Sequence, residues 1–261
     1  MATDRHSELL SMLLERGQLP VQELAEALNA SIATVRRDLI ELEKLGRIER
    51  LHGSARIATA AHKEVAFASR ELVNLPAKRA IAVRAAQELK PDASVFLDSS
   101  TTVLQLARHI AALDRSTRVF TNSLGVAQEL SPFTHIETTL IGGRIRPENL
   151  SLVGPITRDA LENLWVDQLF LGATAIDDEG CLSSLDPDEA AINSLMIRRA
   201  ERAFILADQS KFSTRATHSV ARLAQNQTII ADAPAPLALR KYARSCNLTI
   251  ISASKPETVL T

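Results

Sequence analysis

The chain has 261 residues, 46% of them hydrophobic and 23% charged, which describes an ordinary globular protein with room for more than one domain. Its formal net charge of −1 excludes a non-specific polyanion binder, so nucleic-acid binding must use a local basic patch. The two distant cysteines, Cys181 and Cys246, exclude a disulfide framework and a cysteine metal cluster, and there is neither an apolar run of ~18 residues nor an apolar leader after Met1; a cytoplasmic chain with free thiols, no cofactor and no metal is expected.

Leu9, Leu10, Leu13 and Leu14 predict a first helix, which Gly17 and Pro20 end. Val21–Leu28 reads as a short second helix with Leu24, Ala25 and Leu28 facing inward, and Asn29-Ala30-Ser31 is a tight turn into a third. In that third segment, Ser31–Lys44, the apolar residues Val35, Leu39 and Leu42 fall on one helical face. Ser31 sits where an N-cap belongs. Ala33, Arg37 and Lys44 project opposite the apolar stripe, Arg36 flanks it, and Thr34, Arg36 and Arg37 crowd the first two turns. Alone, this segment is an ordinary amphipathic surface helix; its context says more. After Gly46, residues 47–57 alternate as a two-stranded β wing broken at Gly53, with Ile48, Arg50 and His52 on one side and Glu49 and Leu51 on the other. Three short helices and a wing make a winged helix-turn-helix, a DNA-binding arrangement. Residues 1–57 hold eight Lys/Arg against nine Asp/Glu, with the basic groups clustered from Arg36 to Arg56, so the positive field is local.

The pattern Ser31-x-x-Thr34-Val-Arg36-Arg37-Asp38-Leu39-x-x-Leu42, followed by Gly46-Arg-Ile-x-Arg50-x-His52-Gly53-Ser54-Ala55, resembles the amino-terminal domain of the DeoR family of bacterial transcriptional regulators. Ser54 stands where the family has a second glycine. The resemblance implies double-stranded operator DNA as a partner. Arg36 and Arg37 are then expected at bases or phosphates, Ser31 and Thr34 at phosphates or base edges, and the wing residues Arg50 and His52 at the flanking backbone.

Small residues from Ala58 begin a linker that runs to about residue 76. Pro76 opens a helix through Leu89, with Ile81, Ala82, Ala85 and Leu89 on one face. From Ser94 onward, short apolar runs alternate with helices. Strands are expected at Val95–Leu97, Arg118–Thr121, Ile136–Ile141, Gln168–Leu171, Ala203–Ala207, Thr228–Ala231 and Leu248–Ile251. Helices are expected at Thr101–Ala111, Leu124–Leu130, Pro155–Leu164, Pro187–Ala200 and Pro236–Arg244. The fold class is therefore α/β: a winged helix-turn-helix (1–57), a linker (58–76) and a mostly parallel α/β domain (77–261).

Ligands of open parallel sheets sit beyond the carboxyl ends of the strands. Asp98, Ser99, Ser100, Thr101 and Thr102 follow the first expected strand, Asn122 and Ser123 the second, and Gly142, Gly143 and Arg144 the third. Asp208 and Lys211 follow the fifth, and Glu189 begins the helix before it. Hydroxyls at a helix N-terminus make an anion cradle, and paired glycines let backbone N–H groups approach a ligand. Together these suit a small phosphorylated sugar or polyol. Each piece also has a plainer reading: Ser99–Thr102 as a cap, Gly142-Gly143 as a turn, Lys211 and Glu189 as solvated charges.

The same signals, together with Thr121, Gly172-Ala173, Glu189-Ala190 and Ala207–Phe212, resemble the carboxyl-terminal sensor domain of the DeoR family. That resemblance implies a fold similar to ribose-5-phosphate isomerase, used to sense phosphorylated sugar metabolites. It also implies a repressor of a carbohydrate catabolic operon, working as a homodimer or homotetramer. Ser100 and Asn193 stand where the family has glycine and lysine. The alternative is a sugar-phosphate isomerase with a DNA-binding appendage. Isomerisation needs a positioned carboxylate base, and Leu171 and Thr174 occupy the places where similar isomerases have their acids, so a regulator and not an enzyme is expected.

Overall fold

Leucines spaced three and four apart fold the amino-terminal segment into helices α1 (Ala2–Arg16), α2 (Val21–Ala27) and α3 (Ile32–Lys44). The computed structural model describes residues 2–44, 48–51, 53–57, 70–113 and 115–253. The chain divides into two units, Met1–Arg70 with Pro147–Asn149, and Glu71–Arg146 with Leu150–Thr261.

In the first unit, Leu9, Leu13, Leu24, Val35, Leu39 and Leu42 close a core with Leu19, Ile48 and Ala55. The turn from α2 to α3 ends α2 by backbone chemistry. Asn29 is left-handed (φ 47°), and the Ala30 N–H donates to Ala25 O at 3.0 Å while the Asn29 N–H donates to Glu26 O at 3.1 Å, a Schellman cap. Strands β2 (Ile48–Leu51) and β3 (Ser54–Ile57) form the expected antiparallel wing. The wing is not two-stranded, however. A short β1 (Leu19–Pro20) pairs with β3, giving the order β1-β3-β2. Pro20 takes an edge position, where its missing N–H costs nothing, and the Val21 N–H donates to Gly53 O at 3.0 Å. Two residues between helix signals carry too little pattern to announce a strand.

The second unit is built on seven strands in the order β15-β14-β12-β9-β4-β5-β6, all neighbours parallel. They are β4 (Ser94–Leu97), β5 (Thr117–Thr121), β6 (Ile136–Leu140), β9 (Val166–Gly172), β12 (Ala200–Ala207), β14 (Gln227–Ala231) and β15 (Thr249–Ser252). These coincide, within a few residues at their ends, with the apolar runs in the sequence. Phe96, Leu169, Phe170, Phe204, Ile205 and Ile229 are buried, as strands covered on both faces require. The Phe170 and Phe204 rings stack at 4.9 Å.

Helices α4 (Leu75–Ala86), α5 (Thr101–Ala111), α6 (Leu124–Leu130), α7 (Pro155–Glu162), α8 (Pro187–Arg198) and α9 (Leu237–Cys246) connect the strands. Helix α4 starts one residue before Pro76 and stops at Gln87, short of the expected Leu89; residues 70–72 are also helical, inside the stretch read as linker. Residues 58–69 of that stretch lie outside the described residues.

Two small antiparallel additions were not expected. One is the hairpin β7 (Arg144–Arg146) and β8 (Ser151–Val153). The other joins β10 (Ala175–Ile176), β11 (Cys181–Ser184) and β13 (His218–Arg222). Among the described residues, no helix is long and apolar enough to cross a membrane.

From β4 the chain runs outward through β5 to β6. It then returns to β9 on the other side of β4 and runs through β12 to β15. The order of connection therefore reverses between β4 and β9. That reversal opens a crevice at their carboxyl ends, the place where such sheets take ligands.

Candidate functional site

The exposed face of α3 and the wing carry the residues expected at DNA. Ser31 caps α3: its Oγ accepts from the Thr34 N–H at 3.1 Å and lies 2.8 Å from Thr34 Oγ1. Arg36 and Arg37 are exposed and make no ion pair among the described residues. Arg50 is different: its Nε donates to Glu43 on α3 at 2.8 Å. Arg56 likewise donates to Glu49 across the wing at 2.6 Å. Arg50 and Arg56 are thus neutralised internally, and among the described residues the arginines of the cluster without an ion pair are those on the first two turns of α3. His52 lies outside the described residues.

Asp38, which the sequence marks only as part of the family pattern and without a role, is 4% exposed and accepts from Arg5 of α1 at 2.5 and 2.9 Å. The Arg5 hydrogen bond holds the Asp38 carboxyl below the usual range and fixes how α3 sits on α1. The signal was the acid directly after Arg36-Arg37, on the buried face.

In the second unit, Asp98 spans the crevice at the reversal. One carboxyl oxygen accepts from the Ser100 N–H at 2.9 Å and the other from the Gly172 N–H at the end of β9 at 3.0 Å. Asp98 is buried, and loss of solvation pushes its carboxyl up to about 7; the two backbone donors oppose that shift and the nearby Glu189 adds to it. Ser100 is the N-cap of α5, its Oγ accepting from the Val103 N–H at 3.1 Å. The N–H groups of Thr101 and Thr102 are first-turn donors without a partner among the described residues. Ser99 and Thr102 are buried beside them.

On the neighbouring strand end, Thr121 Oγ1 donates to Leu97 O at 2.7 Å and Ser123 caps α6. Asn122 is 2% exposed; its amide donates to Leu152 O at 3.2 Å and its Oδ1 has no partner among the described residues. Strand β12 ends beside β9, where the Ala173 N–H donates to Leu206 O at 2.9 Å. Asp208 follows, accepting from the Ser210 N–H at 3.0 Å and from Asn74 Nδ2 at 3.1 Å, so it clamps the entry to α4. Lys211 is partly exposed and unpaired among the described residues. Glu189 on α8 accepts from Ser184 Oγ at 2.8 Å.

The residues predicted for the second unit therefore follow the carboxyl ends of β4, β5, β6 and β12, with Glu189 on α8, but they are engaged in different ways. A Cβ on Gly143 would lie 2.0 Å from Thr157 Oγ1 and 2.9 Å from Val153 O, so this glycine is needed to admit β8 and α7. Gly142 is open, with only Ile156 Cγ2 near, at 4.0 Å. Arg144 points to Asp188 on α8. The buried Lys78, on α4 one turn after Asn74, is a cation that sequence reasoning missed. A cavity of about 610 Å³ lies elsewhere, between α7, α8 and β13, lined by Arg158, Ser194, Arg198 and His218.

Two family descriptions match this chain: "DeoR-like helix-turn-helix domain" over residues 5–61 and "DeoR C terminal sensor domain" over residues 73–233. The chain belongs to the DeoR family. It is a DNA-binding transcriptional regulator, and its relatives align end to end. It is 34% identical to the HTH-type transcriptional regulator GlpR of Haloferax volcanii, over 96% of this chain and 98% of that one. It is 32% identical to the HTH-type transcriptional repressor CsqR of Escherichia coli, over 95% and 94%. The glycerol-3-phosphate regulon repressor of Escherichia coli is 27% identical, over 91% and 93%. Among solved structures, ribose 5-phosphate isomerase A from Neisseria gonorrhoeae overlaps about half of this DeoR-family regulator, with a TM-score of 0.38 and 12% identity over 53% of each chain. That likeness is too distant to speak to activity.

Proposed function

We propose that this regulator represses a carbohydrate catabolic operon and is released from its operator by a phosphorylated sugar or polyol. Arg36 and Arg37 contact bases or phosphates, Ser31 and Thr34 contact phosphates or base edges, and Arg50 and the wing residue His52 grip the flanking backbone. The effector phosphate is held by the free Thr101 and Thr102 N–H groups, with Ser99 and Ser100 beside them and Lys211 as a nearby cation. Its hydroxyls meet Asp98, Asn122 and Glu189. Gly142 leaves room along the same edge. Ser123, Gly143, Arg144 and Asp208 shape this edge through the contacts described above.

The observation that carries the reading is the pairing, among the described residues, of unpartnered donors at the start of α5 with a buried, unpartnered Asn122 acceptor on the next strand end. A phosphate fits the first and a hydroxyl the second. The names of relatives support it: one is a glycerol-3-phosphate regulon repressor and another a putative aga operon transcriptional repressor. The crevice has no carboxylate at Leu171 or Thr174, which supports sensing over isomerisation. A dimer or tetramer of this chain, working in the cytoplasm, places two winged helices on paired half-sites.

The test is binding to the DNA upstream of its own gene, followed by fluorescence anisotropy over a salt series, with and without a panel of sugar phosphates. Salt-sensitive preference over random duplex, released by one member of the panel, is expected. Arg37→Ala should weaken operator binding by about 1–3 kcal/mol and leave the effector's thermal shift in place. No preference over random duplex, or turnover of ribose 5-phosphate by the purified chain, would overturn the reading.

A further inference from the structure

The outward row of α3 is Ala33, Arg37, Ile40 and Lys44, at spacings of four, three and four residues, and all four are exposed. Val35, Asp38, Leu39 and Leu42 occupy the opposite, buried side. Ile40 is 38% exposed, flanked along the row by Arg37 and Lys44 and one turn after Arg36. A lone exposed isoleucine is unremarkable on a protein surface. Here it stands in the row that carries Arg37, which makes no ion pair among the described residues, on a helix whose apolar face is already filled.

We propose that Ile40 reads a thymine methyl group in the major groove and is a specificity-determining residue of this regulator. This rests on the reading of α3 as the recognition helix. The major groove presents one apolar feature to a protein, the C5-methyl of thymine, and an aliphatic side chain is its complement. Arginine on the same row supplies the other half of a base-pair code, by donating to guanine O6 and N7. Arg37 and Ile40 are separated along the helix axis by about 4.5 Å, on the order of one base-pair step. The thymine therefore lies within one or two base pairs of the base that Arg37 contacts. Ala33, with its small side chain, lets the first turn of the row approach the groove closely.

The test uses the full chain and an operator chosen from a randomised duplex pool. Each thymine of the selected sequence is replaced singly by deoxyuridine, which removes the methyl and leaves the pairing edge unchanged. One replacement, one or two positions from the base whose substitution the Arg37→Ala variant no longer senses, should weaken binding by about three- to fivefold, the worth of one buried methyl. Ile40→Ala should bind the thymine and deoxyuridine operators equally and remain folded, since alanine favours the helix and offsets part of the apolar burial lost at this partly exposed position. The proposal is overturned if every deoxyuridine operator binds within twofold while Arg37→Ala still weakens binding, or if Ile40→Ala keeps the methyl preference. A pool that yields no preferred sequence overturns the recognition-helix reading itself, and this inference with it.

Discussion

Ser100 and Gly172 are 72 residues apart, and nothing in the sequence ties them together. The structure does: a Cβ on Gly172 would meet Ser100 Oγ at 2.1 Å and Ser100 Cβ at 2.2 Å. Gly172→Ala is therefore expected to destabilise by about 1–3 kcal/mol, as overpacking does. Ser100→Gly removes both obstructing atoms, and as a cap glycine costs only about a few tenths of a kcal/mol. The double variant should recover most of the lost denaturant midpoint; losses that merely add would mean the two side chains do not compete for one space. Asp98 makes a second prediction at this scale. Burial holds its carboxyl at about 7 against an ordinary 3.8. Between those values the folded chain keeps a proton that the unfolded chain releases. The stability owed to this group is full below about pH 4 and is lost as pH rises through about 7. Asp98→Asn does not titrate, so wild type should lose more stability than the variant between about pH 4 and about pH 7 in urea unfolding. Equal losses would mean that Asp98 is ionised throughout.

The elements were unequally legible. The inner strands β4, β9, β12 and β14 are covered on both faces, so each carries an apolar run, and Thr101–Ala111 and Leu124–Leu130 are legible to the residue because Ser100 and Ser123 cap them. Strands β1, β7, β8 and β10 have two or three residues each, and their partners are chosen by tertiary contact, so no local pattern reveals them. The candidate site follows the same division. Strand-end position exposed Asp98 to Thr102 and Asn122 in the sequence, while Asn74, Lys78 and the Arg5–Asp38 pair depend on contacts between distant segments. The charge state of the wing was equally hidden, since only the fold brings Glu43 to Arg50. That exposed pair is worth about 0–1 kcal/mol to stability. If Arg50 grips the flanking backbone as proposed, Glu43 competes with phosphate for the same guanidinium. Glu43→Gln is expected to leave the melting temperature almost unchanged, strengthen binding to any duplex, and steepen the slope of log affinity against log salt by about one. An unchanged slope would place Arg50 away from the phosphates.

Regulation by a metabolite is a property of the whole molecule, and it requires the effector to bind the DNA-competent and DNA-free states with different affinity. On the proposed reading helix α5 would report occupancy, because it starts at the Thr101 and Thr102 N–H groups, unpartnered among the described residues, and near its end Arg108 holds both Glu71 and Glu129. Glu71 is the first residue of the second unit. A substitution that removes one donor without disturbing the helix isolates the sensing step. Thr101 is the first helical residue, where proline is at home, and Ser100 before it has φ −77° and ψ 152°, a conformation that a following proline tolerates. Thr101→Pro deletes an N–H that no described group uses. The variant is expected to fold and to bind the operator with wild-type affinity, while the effector no longer releases it. The coupling so lost should be about 1–3 kcal/mol, and by linkage the operator in the wild-type chain must weaken effector binding by the same factor. Titrating the effector with and without operator measures both halves. A Thr101→Pro chain that still answers the metabolite would move the phosphate site away from α5, while one that loses operator binding as well would place Thr101 in the route between the sites and not in the cradle.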